Sequence, residues 1–302
     1  MSPVVALIGH NGTVGNNLLP YNNLLPYLVE AHKKGSIKLV ILHRSSSDLS
    51  KVPSDAAIEK RIVELEDGKI DSIKAAVKDL EVVISTIAAS SAPSQVYLAE
   101  ALASSSALKT FIPSDFGCVW TEEETSIPGL SFLMIKEDVA QRVKQLKVPI
   151  TEIKVGLFDL FFFGYKAVGT DVRSNQVQYY HDSLHNQLPI TSLSYLGYSV
   201  TQLISDPSLL AKLPNSTLNI FDFAPTGQEI VDVLTQLHGQ PTKTVQVSEK
   251  TIAEQLEEPV AIGAAITKKW GDNNFGNVPK TEINGWAGKS FAETVKEWVN
   301  KA

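Results

Sequence analysis

The chain has 302 residues, of which 43% are hydrophobic and 20% charged, with a formal net charge of -6. Such a chain buries a substantial core, as one large domain or a domain with an attached lobe, and its scattered Lys and Arg argue against nucleic acid as a direct ligand, which demands a basic face. Cys118 is the only cysteine, which excludes a disulfide framework and a cysteine-rich metal site and fits a reducing, cytoplasmic setting.

Val4-Val5-Ala6-Leu7-Ile8 reads as a buried parallel strand, and Gly9-x-x-Gly12-x-x-Gly15 follows at once. Glycines are common in turns, but directly after the first strand this spacing favours a dinucleotide loop. The turn is tight, the backbone must approach a pyrophosphate, and the following helix must pack on the strand. Gly9, Asn11, Gly12, Thr13, Val14 and Gly15 are therefore the expected cofactor contacts. The N-terminal apolar run is too short for a signal peptide, and no segment, Leu157 to Phe163 included, is long enough to span a membrane.

The next stretch repeats itself: Asn16-Asn17-Leu18-Leu19-Pro20-Tyr21 recurs as Asn22-Asn23-Leu24-Leu25-Pro26-Tyr27. Two prolines predict a helix that kinks or begins late. The repeat reads as a small tandem duplication or an error in the gene model, and neither carries chemistry.

Ile37 to Leu42 is a second expected strand, ending in His43-Arg44-Ser45-Ser46-Ser47. An acid at this point binds the ribose hydroxyls of NAD, whereas an arginine accommodates a 2′-phosphate. Arg44 stands there and the first acid, Asp48, comes later, so NADPH is favoured over NADH. Arg61 to Leu65 is a third strand, Ile70 to Leu80 a helix, and Val82 to Ala88 a strand whose small terminal residues, Thr86 among them, let a cofactor lie across its end. A helix over Ser94 to Ser106 and a strand over Lys109 to Pro113 continue the alternation. The pattern predicts an α/β fold with a Rossmann-type doubly wound parallel sheet and ligands at the strand C-terminal ends.

Phe111-Ile112-Pro113-Ser114-Asp115-Phe116-Gly117 resembles the Phe-x-Pro-Ser-Glu-Phe-Gly signature of the NmrA-like and isoflavone reductase-like family of atypical short-chain dehydrogenases, with Asp115 in place of the usual Glu. The glycine loop, Arg44, this signature and the interval from Lys136 to Pro149-Ile150-Thr151 carry the resemblance, which weakens beyond about residue 180 and points to fungal secondary-metabolism members. On a helix expected over Leu130 to Lys147, Lys136 falls on the apolar stripe of Phe132, Val139, Val143 and Leu146. By itself that is a lysine snorkelling at the core edge. The resemblance implies that Lys136 contacts the nicotinamide ribose and acts as general acid or alkoxide stabiliser. Phe132 stands four residues before Lys136, so the Tyr-x-x-x-Lys dyad of typical short-chain dehydrogenases is absent. Tyr165, Tyr179, Tyr180 and His181 are further candidates for a proton donor.

Thr151 to Val155 is a sixth expected strand, after which the resemblance implies that Phe158 lines the nicotinamide. The aromatic run Asp159 to Tyr165 suggests a wall for a flat substrate; core packing explains it equally well. Phe116, Phe162 and Tyr165 are the expected substrate contacts. The segment Cys118 to Gly129, with Glu122, Glu123 and Glu124, reads as a mobile solvated cover or a plain surface loop. Further elements are expected as a helix over Leu196 to Ser205, a strand over Leu218 to Phe221, a helix over Thr226 to His238 capped by Thr226, a strand over Thr242 to Val247, and a C-terminal helix pinned by Phe291, Val295 and Trp298.

The expected domains are an NADP-binding Rossmann domain over residues 1-155, with a return segment near 182-215, and a smaller C-terminal α/β substrate lobe over 156-181 and 216-302. No metal-ligand spacing, hydrolase elbow or Walker loop occurs. The expectation is an NADPH-dependent oxidoreductase that transfers hydride to a carbonyl or conjugated double bond of a small, apolar, aromatic molecule, as a monomer or homodimer without nucleic acid or membrane. The alternatives are a redox-sensing regulator that binds NADP without turnover, and a non-redox dehydratase or isomerase on the same fold.

Overall fold

In the computed structural model of this chain, which describes residues 2–16 and 23–300, the first five strands form one parallel sheet in the order β3-β2-β1-β4-β5. They are β1 (Val4–Ile8), β2 (Lys38–His43), β3 (Glu59–Ile62), β4 (Val82–Ser85) and β5 (Thr110–Ile112). β1 and β2 run in register from Val4↔Lys38 to Ile8↔Leu42, and β1 pairs β4 through Ile8↔Ser85. The chain order reverses between β1 and β4, the position at which a doubly wound sheet opens a crevice beyond its carboxyl ends. This is the Rossmann-type sheet that the alternating pattern predicts.

The helices that cover it begin with α1 (Thr13–Asn16), α2 (Leu24–Lys33), α3 (Ile70–Val77) and α4 (Gln95–Leu102). Residues 17–22, which hold the rest of the first copy of the hexapeptide repeat after Asn16, with Pro20, and the first residue of the second, lie outside the described residues. The second sets the start of α2: Pro26 is the third residue of that helix. In a first turn the amide has no intrahelical partner, so proline costs the helix nothing there. α2 therefore accommodates Pro26 at its start.

One face of the sheet is packed by Ala6, Ile8, Val40, Leu42, Val83 and Phe111 against Ile73, Val77, Leu98, Leu102, Val139 and Val143 in a single apolar cluster. The last two residues come from α6 (Met134–Gln145), which follows the one-turn helix α5 (Glu122–Thr125). The helix expected over Leu130 to Lys147 is thus split, because Pro128–Leu133 winds as a tighter 3-10 turn. That winding advances each residue by a larger angle and rotates Phe132 out of the stripe, leaving it 42% exposed.

The chain divides into two compact units, Met1–Phe116, Ile135–Ile153 and Leu196–Leu218 in the first and Gly117–Met134, Lys154–Tyr195 and Asn219–Ala302 in the second. The segment 117–134, expected within the nucleotide domain, falls in the second unit, and the returning segment is 196–218 rather than 182–215. Among the described residues three short pairs complete the strands: β6 (Thr151–Lys154) with β10 (Ser216–Asn219), β7 (Leu157–Phe158) with β9 (Ile190–Thr191), and β8 (Gln176–Tyr179) with β11 (Lys243–Gln246).

The remaining helices are α7 (Leu193–Ser205), α8 (Pro207–Leu210), α9 (Gly227–His238), α10 (Glu249–Leu256), α11 (Ile262–Gly271) and α12 (Phe291–Asn300). Thr226 caps α9 through a reciprocal box with Glu229, as its sequence predicts, and Gly239 ends that helix in the left-handed region. On α12, Val295 is fully buried and Trp298 stacks on Phe163 at 5.4 Å, so the expected stripe anchors the helix. Among the described residues no helix is long and apolar enough to cross a membrane.

Candidate functional site

The glycine loop joins the ends of the two central strands of the first unit. A Cβ on Gly9 would come within 2.5 Å of the Thr86 backbone carbon, and one on Gly12 within 2.5 Å of the Thr86 carbonyl oxygen. Gly9 also holds φ +87, which only glycine adopts freely. The Thr86 hydroxyl donates to the Gly9 carbonyl at 2.9 Å and to that of Ile8 at 3.1 Å. Its side chain is therefore a buttress that fixes the loop.

The Gly12 amide donates to the Gly9 carbonyl. Among the described residues the amides of Asn11 and Thr13 have no backbone acceptor, the donor pattern with which such loops hold a phosphate. Asn11 and Thr13 are exposed, Val14 half-buried and Gly15 buried.

The loop is tied to the end of β2. His10 and the Asn11 side-chain amide both contact the Asp48 carbonyl, at 3.0 and 2.7 Å. Asp48 is thus committed through its backbone, and its carboxylate turns back on Ser50. Arg44 directly follows β2 and is exposed.

Glu64, within the strand expected over Arg61 to Leu65, lies just beyond the end of β3 and is brought alongside. Its Oε1 accepts from the amide and the hydroxyl of Ser45, both at 2.8 Å. Those bonds, assisted by nearby Arg44 and Lys69, hold the Glu64 carboxyl below its ordinary range. The one available signal was that an acid at the end of one strand must lie beside the end of its neighbour.

The signature after β5 is fixed to the end of β4. The Ser114 hydroxyl donates to the Ile87 carbonyl at 2.8 Å, and the Ser114 amide donates to the side-chain oxygen of buried Gln95 at 2.8 Å. This turn sets Asp115 with its carboxylate 3.7 Å from Lys136 Nζ. Lys136 lies one turn before Val139 and Ala140 of α6, on the side that packs the core, and is 24% exposed. At 3.7 Å the pair is long and not closed into a direct hydrogen bond, so it aims the ammonium rather than clamping it. A positioned ammonium can stabilise a developing oxyanion or deliver a proton. Phe116 is buried in the first unit.

In the second unit, Phe158 ends β7 and a π-helical turn follows at Leu160–Gly164. Its wider winding decides which aromatics face outward. Phe162 is fully buried against Phe163 and Phe291, so its ring is a core side chain here, in contrast to the expected substrate contact. Phe161, not singled out before, is 41% exposed and links Phe158 at 6.3 Å to Tyr165 at 5.5 Å. Tyr165 itself is widely exposed.

Asp159 is buried and accepts the Leu160 and Leu193 amides, while Asp222 accepts the amide and hydroxyl of Ser192. Burial pushes Asp159 up to about 7 and Asp222 to about 6. Of the proton-donor candidates, Tyr180 is buried and stacks on His181, whose two ring nitrogens meet Asp272 and Glu249. The Asp272 hydrogen bond raises the His181 pKa.

The segment expected as a mobile solvated cover is pinned instead. Glu124 closes a capping box with Thr121 and forms an ion pair at 2.6 Å with Lys269, which is 2% exposed and also sits over the Trp120 ring. Cys118 is buried, with its thiol donating to the Gly156 carbonyl at 3.2 Å.

Residues 6–284 match the model of the NmrA-like family. The chain belongs to the NmrA-like family. An isoflavone reductase homologue of Nicotiana tabacum is 25% identical over 98% of this chain and 97% of its own length, and one of Nicotiana glauca is 25% identical over the same shares. Among solved structures, AtPrR2 with NADP+ and (+)pinoresinol superposes with a TM-score of 0.73 at 18% identity over 99% of both chains. Leucoanthocyanidin reductase with NADPH from Vitis vinifera gives 0.70 at 18% identity, covering 99% of this chain and 100% of that one. The NmrA-like assignment fits the Asp115-bearing signature, which is the part of the family pattern that lies beside Lys136.

Proposed function

We propose that the protein is an NADPH-dependent reductase of a small, apolar, aromatic metabolite. The observation that carries this reading is Arg44, exposed directly after the strand beside the glycine loop, where a 2′-phosphate is selected. The relatives support it: solved structures of similar fold are named for NADP+ and NADPH.

The loop amides of Asn11 and Thr13 take the pyrophosphate, Gly9 and Gly12 permit its close approach, and Arg44 takes the 2′-phosphate. The bound dinucleotide supplies the hydride. Lys136, aimed by Asp115, carries positive charge toward the oxygen on which negative charge develops and supplies the proton that completes the reduction. Phe158, Phe161 and Tyr165 form the aromatic face suited to a flat substrate.

The test is a fluorescence titration of NADPH, NADP+, NADH and NAD+ against the wild-type protein and Arg44→Ala, followed by product analysis on aromatic ketones and enones. NADPH is expected to bind tightest and to weaken at least tenfold in Arg44→Ala, in line with loss of a charge-assisted contact. Preference for NADP+ without turnover would assign the chain to redox sensing, and conversion without consumption of NADPH would assign it to non-redox chemistry. Binding of no dinucleotide would overturn the redox reading altogether.

A further inference from the structure

We propose that Glu64 is a specificity-determining residue of the dinucleotide site, a resident anion that holds the Ser45 donors beside Arg44 and must yield them when a 2′-phosphate arrives. The inference rests on the NADPH reading above and concerns how selective that site is.

Register places the groups together. β2 and β3 pair through Leu42↔Arg61 and His43↔Ile62, and the Val63 amide continues the ladder to the His43 carbonyl at 2.8 Å. The next residues on each chain, Arg44-Ser45 and Glu64, therefore emerge side by side at the carboxyl edge of the sheet. Glu64 Oε1 takes both the amide and the hydroxyl of Ser45, at 2.8 Å each. An amide, a hydroxyl and a nearby guanidinium are the donor set that a phosphate monoester uses. A carboxylate already holding two of the three competes with that phosphate through shared donors and through like charge.

Arg44 itself keeps its backbone fixed in this arrangement. Its amide accepts no freedom from the neighbouring turn, since it donates to the Ser47 hydroxyl at 3.1 Å while its carbonyl receives the Ser47 amide at 2.9 Å. The guanidinium lies close enough to Glu64 to favour its ionisation. Lys69 is the other cation acting on Glu64. NADH, which lacks the 2′-phosphate, binds without evicting Glu64. The acid therefore narrows the gap between the two cofactors that Arg44 alone would open.

The experiment measures dissociation constants of NADPH, NADH and 2′-AMP for the wild type, Glu64→Gln and Glu64→Ala. Gln keeps the size and an acceptor for Ser45 but removes the charge; Ala removes both, and Glu64 being only half-buried, either variant is expected to fold. NADPH and 2′-AMP should tighten about tenfold in both variants, the scale of one partly screened unit charge beside a phosphate, with NADH changed less than twofold. Unchanged or weakened NADPH and 2′-AMP binding in the variants, against a wild type that binds NADPH, would overturn the role of Glu64 and leave the reductase reading intact. A wild type and variants that bind none of the three would overturn both.

Discussion

Lys136 and the three loop glycines test different parts of the chemistry. Lys136→Met removes the ammonium but keeps an apolar stem against the α6 face, so NADPH should still bind while turnover falls by about 10²- to 10⁴-fold, the usual worth of a positioned acid. Single-turnover rates at saturating NADPH separate the two effects, and unchanged turnover would remove Lys136 from the mechanism. Gly12→Ala acts on the backbone instead. Its Cβ would stand 2.5 Å from the Thr86 carbonyl oxygen, and because that oxygen belongs to the strand end rather than to a flexible side chain, the loop must shift. The expected outcome is loss of dinucleotide binding together with about 1–3 kcal/mol of stability, the scale of a forced overpacking, read by titration and by denaturant unfolding.

Among elements, the segment between Gly117 and Met134 has the most to lose from one substitution. Glu124→Gln leaves the Lys269 ammonium buried without its counter-charge, and breaking a buried pair in this way costs about 3–5 kcal/mol. By comparison, Thr226→Ala should cost only about 1 kcal/mol, since it removes a cap at a solvated helix end. Urea midpoints for the two variants give the ratio directly.

The same contrast explains what could be read in advance. Thr226 and Glu229 sit three residues apart, so their box is visible in the chain. Glu124 and Lys269 are separated by 145 residues, and three adjacent glutamates look solvated until the partner is known. The glycine loop, Arg44 and Lys136 were legible because each is local: a spacing, a strand end, a helix face. Asp115 beside Lys136 and Glu64 beside Ser45 were not, because they depend on which strands become neighbours. Nor could a run of three phenylalanines tell which ring faces inward, for the π-helical turn shifts the phase that separates Phe161 from Phe162.

For the whole molecule, the buried carboxyls set the pH profile. Asp159 and Asp222 are raised to about 7 and about 6, so in the folded state they keep protons that the unfolded chain has already lost above about pH 4. Stability from these groups is present below the unfolded pKa and declines as pH rises through the folded values, by at most about 1.4 kcal/mol per pH unit for each group. His181, raised by Asp272, acts in the same direction: its contribution is complete below its unfolded pKa and fades as pH rises past the folded one. Asp171, lowered to about 2, and Asp79, lowered by Arg61, act oppositely and lose their contribution only in acid. The melting temperature should therefore peak on the acid side of neutrality and fall toward pH 8, and Asp159→Asn should flatten that fall. A profile that rises steadily from pH 5 to 8 in the wild type would contradict the burial of these carboxyls.

The lone thiol has a practical consequence. Cys118 is 5% exposed and its hydrogen is engaged by the Gly156 carbonyl, so a maleimide reagent should find no target in the native protein and one target per chain once the second unit opens. The wild-type chain thus carries its own single-site label, silent when folded, and a cysteine introduced on the surface would be labelled against a dark background. Labelling rates followed across a denaturant series would time the opening of that unit separately from the global loss of helix seen by circular dichroism.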